Sequence, residues 1–518
     1  MSGAFDKKIE KAKRREERIL KEQKDKRRTR IIAIVVIIVF ALLLSAALFL
    51  NSKYVRQSLP AISVGGVSFS SSEFDYLYMR TYKDYEQSLK DYLGEEYAAA
   101  YLPSSDVSHS SQIYNPETGE TWADYLTNYT MSQIVESAKY YNAAVADGFV
   151  LPADAIEAID SEMSSYLSYA EMYNTSIDNF ISTYIGRYMN EKNLRRMIEF
   201  MYTVSYYNES VHDSFEYSDE RLAACYLENK DSMDSITYRV FLVEPETLIK
   251  EDYESEEEYQ AAEEAALAEA SEKARDIKSR IFSEEDFINE AEAYGAEDYS
   301  SRTYPGSSLS SDYNEWLLGE ERQSNDVEVF DITAGTYVVY FIDRDPNEYL
   351  MTEMRQILAV REELSPADYP GGADDPDYLA AMELADRAAL EKAQMAETEF
   401  VDGGGKEEAF IQAIDAGLSD DTTPGGYYDL ITKNAANNKM VPEIEEWLFA
   451  PERKAGDYKI VRTEAFGYHL LYFVGYGERY CDYLADTKLR DDDYTAWEES
   501  LETDEAVQHW AFMFRQIF

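Results

Sequence analysis

The chain has 518 residues and a formal net charge of −52 at pH 7, and 45% of its residues are apolar and 14% aromatic. A surface this acidic repels nucleic acid and anionic lipid, so nucleic-acid binding is excluded as the main function. The apolar and aromatic content is high enough to build packed cores, which excludes a largely disordered chain.

The N-terminal part of the chain predicts a membrane anchor. Residues 31–50 contain no charge and one polar side chain, Ser45, and a helix of this length can cross a bilayer. Residues 1–30 hold 13 Lys and Arg against 6 Asp and Glu, which favours a cytoplasmic location for this basic tail. We therefore expect a single-pass cell-membrane protein whose bulk is extracytoplasmic. A cleaved secretory signal is the alternative, because Ser45-Ala46-Ala47 resembles a cleavage site.

The few cysteines and histidines argue against metal and disulfide chemistry. Cys225 and Cys481 are too far apart in sequence for a CxxC motif or a disulfide framework. The four histidines have no HExxH or other ligand spacing. GxGxxG, Walker and GxSxG motifs are also missing from the sequence. We therefore expect no metal and no cofactor.

Part of the chain is duplicated. Residues 259–274 align without gaps on residues 378–393, and both stretches have the Ala-rich pattern of a helix. Further along, EWLLxxER at residues 315–322 recurs as EWLFxxER at residues 446–453. Because the matches keep the same order, the sequence predicts two related modules.

Each copy begins and ends with a β-like run. The opening runs are residues 237–243 and 354–360, and the closing runs are residues 336–341 and 468–473. Strand, helices and strand in this order predict a compact α+β module whose two end strands lie side by side. We place these modules at residues 234–345 and 350–478.

Helical patterns dominate the other extracytoplasmic segments. Residues 60–233 begin with a short β-like stretch, and Ser70 followed by Glu73 predicts a capping box at the start of the first helix. Residues 483–518 are predicted to form a C-terminal helix rich in Trp and Phe, which we expect to dock on the helical region.

The order of these parts resembles a known family. Val64-Gly-Gly-Val-Ser-Phe-Ser-x-x-Glu-Phe74, followed by a helical region and two modules, is similar to PrsA-type foldases and SurA-type chaperones. The resemblance implies an α+β multidomain protein with an N-terminal transmembrane helix, a helical chaperone domain like the SurA N-terminal domain, two tandem parvulin (FKBP-like) domains and a C-terminal helix. It covers residues 60–518 and is most specific in the second module.

The resemblance also implies a binding site for a prolyl ring in the second module. Met440, Ile444 and Phe449 match the apolar cup of the parvulin family. Each of these three side chains is also a common core residue, so plain core packing is the alternative.

A polar network is implied beside that cup. Asp421 stands at the family's Cys or Asp position, and His469 matches a histidine of its hydrogen-bond network, although a satisfied strand-end histidine is the alternative. Gln356 replaces the family's first histidine, and its amide can still donate and accept hydrogen bonds. In the first module Val240 and Tyr337, or Val338 if the gap is placed differently, stand at the Gln356 and His469 positions, so we expect that module to be inactive.

The leading functional hypothesis is a membrane-anchored foldase for unfolded exported polypeptides, with weak parvulin-type peptidyl-prolyl cis–trans isomerase activity in the second module. A non-enzymatic holdase with two degenerate modules is the second interpretation, favoured by the loss of the first histidine in both copies. A surface scaffold or adhesin is the third.

Overall fold

The computed structural model of the chain describes residues 3–50, 52–433 and 440–515. It contains two compact units. The helical unit comprises Met1–Phe215 and Asp493–Phe518, and the duplicated unit comprises Glu216–Asp492. Both contain helices and antiparallel sheet, so the expected α+β multidomain class holds at this level.

The first helix of the helical unit, α1 (Gly3–Leu50), is the longest in the described chain. Its segment Lys24–Leu50 is long and apolar enough to cross a membrane. The large apolar side chains between Ile31 and Phe49 are 49% to 67% exposed. A continuous apolar surface of this size is stable only in nonpolar surroundings.

Over the residues that the structure describes, the rest of the helical unit contains seven further complete α-helices, residues 493–500 of a C-terminal helix and two small sheets. The helices are α2 (Lys53–Ser58), α3 (Ser71–Leu93), α4 (Glu95–Ala98), α5 (Trp122–Ala146), α6 (Ala153–Met172), α7 (Ile177–Tyr184) and α8 (Glu191–Asp213). The strands are β1 (Pro60–Val64), β2 (Val67–Ser70), β3 (Ile113–Asn115), β4 (Glu120–Thr121) and, near the C-terminus, β13 (Ala506–Gln508). They form a β13-β1-β2 sheet and a β3-β4 hairpin.

The predicted capping box at the start of α3 is confirmed. The backbone N–H of Glu73 donates to Ser70 Oγ, and the backbone N–H of Ser70 donates to Glu73 Oε2 at 2.7 Å. The Glu73 carboxylate is 2% exposed and also accepts hydrogen bonds from Asn193 and Arg196 at 2.8 Å each. One carboxylate therefore joins the start of α3 to α8.

The C-terminal helix is shorter than the sequence predicts. Helix α16 (Tyr480–Ser500) ends well before residue 515, and β13 and a 3₁₀ turn at Trp510–Phe514 follow it. Strand β13 pairs with β1, whose edge would otherwise expose backbone hydrogen-bonding groups. The Phe512 ring packs edge-on against Phe74 at 4.9 Å. Residues 516–518 of the predicted helix lie outside the described residues.

The duplicated unit contains two four-stranded antiparallel sheets with the same strand order. The first sheet runs β6-β5-β8-β7 and comprises β5 (Ser235–Val243), β6 (Arg302–Pro305), β7 (Val327–Ile332) and β8 (Gly335–Asp345). The second runs β10-β9-β12-β11 and comprises β9 (Leu350–Val360), β10 (Tyr427–Ile431), β11 (Tyr458–Thr463) and β12 (Gly467–Arg479). The end strands pair, β5 with β8 and β9 with β12, as the sequence predicts.

Helices cover both faces of each sheet. In the first module these are α10 (Glu256–Lys278) and α11 (Glu284–Tyr294) on one face and α12 (Asn314–Leu317) on the other. In the second module they are α13 (Pro376–Asp402) and α14 (Glu407–Ala413) on one face and α15 (Pro442–Leu448) on the other. Each module therefore has three layers. The two copies differ in the residues on the sheet face beneath the short helix.

Helix α9 (Asp219–Met233) lies in the duplicated unit, whereas the sequence predicts that residues 219–233 belong to the helical region. Its buried Cys225 and Met233 pack against Ala485 and Leu489 of α16. Both cysteines are buried free thiols. The apolar surface of α9 is therefore covered within the duplicated unit.

We predict that Glu73→Ala lowers the free energy of unfolding of the helical unit by about 3 kcal/mol or more, because Arg196 and Asn193 lose a shared buried partner and α3 loses its cap. Native-state hydrogen exchange of the α3 and α8 amides measures this change. Arg195→Ala is the control, since Arg195 forms exposed pairs with Asp160 and Glu199 and should cost no more than about 1 kcal/mol. Equal effects of the two substitutions would contradict the prediction.

Candidate functional site

A cavity of about 300 Å³ lies on the α15 face of the second module. Most of its wall is apolar, and three polar side chains form one side. The described lining residues are Met354, Gln356, Leu358, Tyr428, Met440, Val441, Ile444, Phe466 and His469. The volume is at the lower end of the range for small-ligand pockets, so the cavity suits one ring or one apolar side chain.

Strand pairing brings Gln356 and His469 together. Strands β9 and β12 are antiparallel, with Gln356 opposite Leu471 and Leu358 opposite His469. Residues two apart on a strand share a face, so Gln356 and His469 are diagonal neighbours on the cavity face. His469 Nδ1 lies 3.0 Å from Gln356 Oε1.

The loop between α14 and β10 forms hydrogen bonds to β9 and places Asp421 beside this strand. The backbone N–H of Asp420 donates to the Leu358 carbonyl at 2.8 Å, and the backbone N–H of Leu358 donates to Ser419 Oγ at 3.2 Å. At the far end of the loop, Gly426 has φ +58°, and a Cβ there would lie 2.3 Å from the Gln356 carbonyl oxygen. Only glycine permits this close approach.

The Gln356 amide connects Asp421 to His469. Its Nε2 donates to Asp421 Oδ2 at 2.8 Å and to the Tyr428 hydroxyl at 3.0 Å. The Tyr428 hydroxyl donates in turn to Asp421 Oδ2 at 2.8 Å. Burial raises the pKa of Asp421, but hydrogen bonds from Thr423 N–H, Gln356 and Tyr428 outweigh burial and hold that pKa below its ordinary value. The carboxylate is therefore ionised at neutral pH.

These bonds fix the tautomer of His469. Because Gln356 Nε2 donates to a carboxylate, the atom facing His469 is the acceptor Oε1, so His469 Nδ1 carries a hydrogen. His469 Nε2 is then free to accept, and the Thr463 hydroxyl lies 3.0 Å from it. Burial lowers the pKa of His469 to about 4, which keeps the ring neutral at neutral pH. Asp421, Gln356, Tyr428, His469 and Thr463 are called the polar network below.

The structure brings five of the six sequence-predicted site residues to this cavity or its network. Met440 and Ile444 line the cavity, whereas Asp421 contacts it through Gln356 and Tyr428. Phe449 is not among the described lining residues. It follows the end of α15, and its ring packs edge-on against Tyr349 at 5.6 Å.

Sequence reasoning missed several lining residues. Met354 and Leu358 flank Gln356 at the alternate positions of β9, so the period of two along this strand could have identified them. Tyr428 lies on β10, a short edge strand that the sequence did not predict. Phe466 lies at the β11–β12 turn, 6.2 Å from the His469 ring.

The equivalent face of the first module is filled by tyrosine rings. Leu242 pairs with Tyr337 as Leu358 pairs with His469, so Tyr337 rather than Val338 occupies the histidine position. The Tyr313 ring packs against Tyr337 at 5.6 Å and against Tyr238 at 5.7 Å. Val240 stands where Gln356 does. The first module thus has aromatic packing where the second has a polar network.

Comparison with known proteins gives little further information. No protein-family model matches the chain, and no curated protein matches it. Among solved structures, the crystal structure of PrsA from Bacillus subtilis is 11% identical, with 57% of this chain and 88% of that chain covered and a TM-score of 0.13. A TM-score this low does not establish a shared fold.

We predict that His469 remains neutral until the pH falls to about 4. Between pH 6.5 and 4 the unfolded chain binds a proton at this residue and the folded chain does not, so the second module loses stability as the pH falls through this window. The loss is about 3 kcal/mol at most. An NMR titration of the histidines, with His469→Gln to assign the resonance, measures the pKa. Titration near pH 6.5 would contradict the buried neutral ring.

Proposed function

We propose that the chain is a membrane-anchored extracytoplasmic foldase that assists the folding of exported proteins. We propose further that its second module has weak parvulin-type peptidyl-prolyl cis–trans isomerase activity. One observation carries this proposal: an apolar cavity large enough for a prolyl ring is bordered by a fixed polar network that contains Gln356, His469 and Asp421.

Prolyl isomerisation requires little chemical machinery. Rotation about the peptide bond has a barrier of about 18–20 kcal/mol, and no covalent bond forms or breaks. A catalyst needs an apolar pocket for the ring, exclusion of the water that stabilises the planar amide, and polar groups that favour the twisted amide. Leu358, Met440 and Ile444 offer the pocket, and the polar network offers groups whose orientations are already fixed.

The helical unit offers a second surface for unfolded chains. A groove of about 280 Å³ lies between α3, α5 and α8, with apolar walls that include Leu77, Ile134 and Val204. An extended polypeptide can place an apolar side chain between these walls.

The anchor and the basic tail support the location. In the proposed topology α1 remains uncleaved and spans the cell membrane once, with the basic residues 1–30 in the cytoplasm. The duplicated unit and the part of the helical unit that follows α1 then lie outside the cytoplasm, where exported polypeptides fold. Unfolded or partly folded exported chains are therefore the proposed partners.

We predict that the purified full chain in detergent accelerates cis–trans isomerisation of an X-Pro peptide. Asp421→Ala should lower the rate enhancement by about 10- to 100-fold, because it removes the charged acceptor that orients Gln356 and Tyr428. His469→Ala should act in the same direction. Tyr313→Ala in the first module is the matched control and should leave the rate unchanged. A rate equal to that of buffer would refute the catalytic part of the proposal.

A non-enzymatic holdase is the second candidate function. It is favoured by Gln356 at the family's first histidine position and by the tyrosine packing of the first module. In that case the full chain should suppress aggregation of an unfolded client, and Asp421→Ala should leave the suppression unchanged. Light scattering of the client during refolding measures this. Suppression that disappears with Asp421→Ala would rule out a holdase independent of the polar network.

A further inference from the structure

Three exposed cations lie on α2, which directly follows the apolar helix α1, or on segments that contact α2: Lys192 precedes Asn193, whose Nδ2 donates to the Gln57 carbonyl at 3.1 Å. Lys53, Arg187 and Lys192 are exposed, and no described carboxylate forms an ion pair with any of them. Residues 51–60 contain no Asp or Glu, in a chain with 101 acidic residues. Local positive charge in so acidic a protein is an exception that needs its own explanation.

The first of these cations is held close to the apolar segment by the chain itself. The backbone N–H of Ser52 donates to the Phe49 carbonyl at 3.0 Å, and Ser52 caps α2 directly afterwards. Lys53 is three residues from Leu50 and therefore lies within about 11 Å of it. Tyr54, which is 57% exposed, has its ring 6.3 Å from that of Phe49.

The second cation is fixed to α2 through Tyr188. Gln57 Nε2 donates to the Tyr188 carbonyl at 2.6 Å. The Arg56 guanidinium lies 4.5 Å from the centre of the Tyr188 ring, and that of Arg187 lies 5.4 Å from it. The loop between α7 and α8 is therefore attached to the helix that follows the apolar segment.

Tyr188 is also held in an uncommon backbone conformation. Its φ is +65°, which a bulky side chain rarely adopts. The backbone N–H of Tyr188 donates to Ser182 Oγ at 3.2 Å, and this bond joins the Gln57 bond in fixing the loop. Such strain persists only where the surroundings over-determine it, often at a binding surface. The result is a loop of fixed shape that exposes Arg187.

We propose that Lys53, Arg187 and Lys192, together with the Tyr54 ring, form a membrane-docking surface, which binds the anionic phosphate headgroups of the outer leaflet. The proposal rests on α1 being the anchor, and it does not depend on isomerase activity. The bilayer is the expected occupant because the apolar segment ends beside this surface. Tyrosine is favoured at headgroup depth, and each nearby cation strengthens attraction to an anionic surface by about fivefold.

The docking surface also explains how a chain with a large net negative charge can bind an anionic membrane. A net charge of −52 repels an anionic membrane as a whole. Attraction falls off within about 10 Å of the membrane, so only groups next to the end of α1 can benefit from it. The docking surface therefore sets which side of the helical unit faces the bilayer.

The test is hydrogen–deuterium exchange of the full chain in nanodiscs made of phosphatidylcholine alone or of phosphatidylcholine with phosphatidylglycerol. Amides of residues 53–58 and 184–192 should exchange about 10- to 100-fold more slowly in the anionic discs, and high salt should remove the difference. The triple variant Lys53→Glu, Arg187→Glu, Lys192→Glu should lose the protection. Unchanged exchange in α5, which belongs to the same helical unit but not to the docking surface, shows that the variant is folded.

A matched control distinguishes the effect of charge at the docking surface from the effect of the net charge of the chain. Lys406→Glu, Lys454→Glu and Lys459→Glu together make the same charge change at exposed positions of the duplicated unit, and they should leave the protection intact. Equal loss in this control, equal protection in neutral discs, or the same protection from inorganic phosphate added to neutral discs would each overturn the proposal. Unprotected α1 amides in both kinds of disc would show that α1 does not span the bilayer, and this would overturn the proposal. Such a result is distinguishable from a negative isomerase assay, which would not affect the docking surface.

Discussion

The candidate site depends on the antiparallel pairing of β9 with β12. That pairing places Gln356 and His469 diagonally on one face, and the loop around Asp421 closes over the same face. Gln356 is 9% exposed and His469 is 4% exposed, so their polar atoms must find partners within the protein. The Gln356 amide satisfies this demand in both directions, because it donates through Nε2 and accepts through Oε1. A one-residue shift in register would turn one of the two side chains to the opposite face.

The amide also determines how the site responds to protons. A histidine at the Gln356 position would add another titratable group between Asp421 and His469, whereas an amide carries no charge at any relevant pH. The charge of the polar network is therefore set by an ionised Asp421 and a neutral His469, whose pKa values both lie below their ordinary ranges. Across the neutral pH range the network has one charge state, which keeps its hydrogen-bond directions constant.

Much of the module architecture could be predicted from the sequence because it occurs twice. Matching stretches located the helices, and the apolar β-like runs at each end identified the paired strands. The edge strands β6, β7, β10 and β11 are not predicted, because they are short and partly polar, and pairing with the central strands defines them. The family resemblance implies a cavity position for Phe449, but this residue lies one position beyond the end of α15 and its ring packs against Tyr349. The network bonds of Tyr428 and Thr463 are tertiary contacts with no sequence pattern to reveal them.

The C-terminal strand β13 has a consequence for how the chain folds during synthesis. Ser63 Oγ and His509 Nε2 lie 2.8 Å apart although the residues are 446 positions apart in sequence, and the Phe512 ring belongs to the same core as Phe74. The helical unit therefore cannot complete its core until residues 506–512 have emerged, although most of its helices precede the duplicated unit in the chain. The duplicated unit takes all its segments from one continuous stretch, Glu216–Asp492, and can fold earlier. The helical unit therefore completes its folding after the duplicated unit, although most of its residues are synthesised earlier.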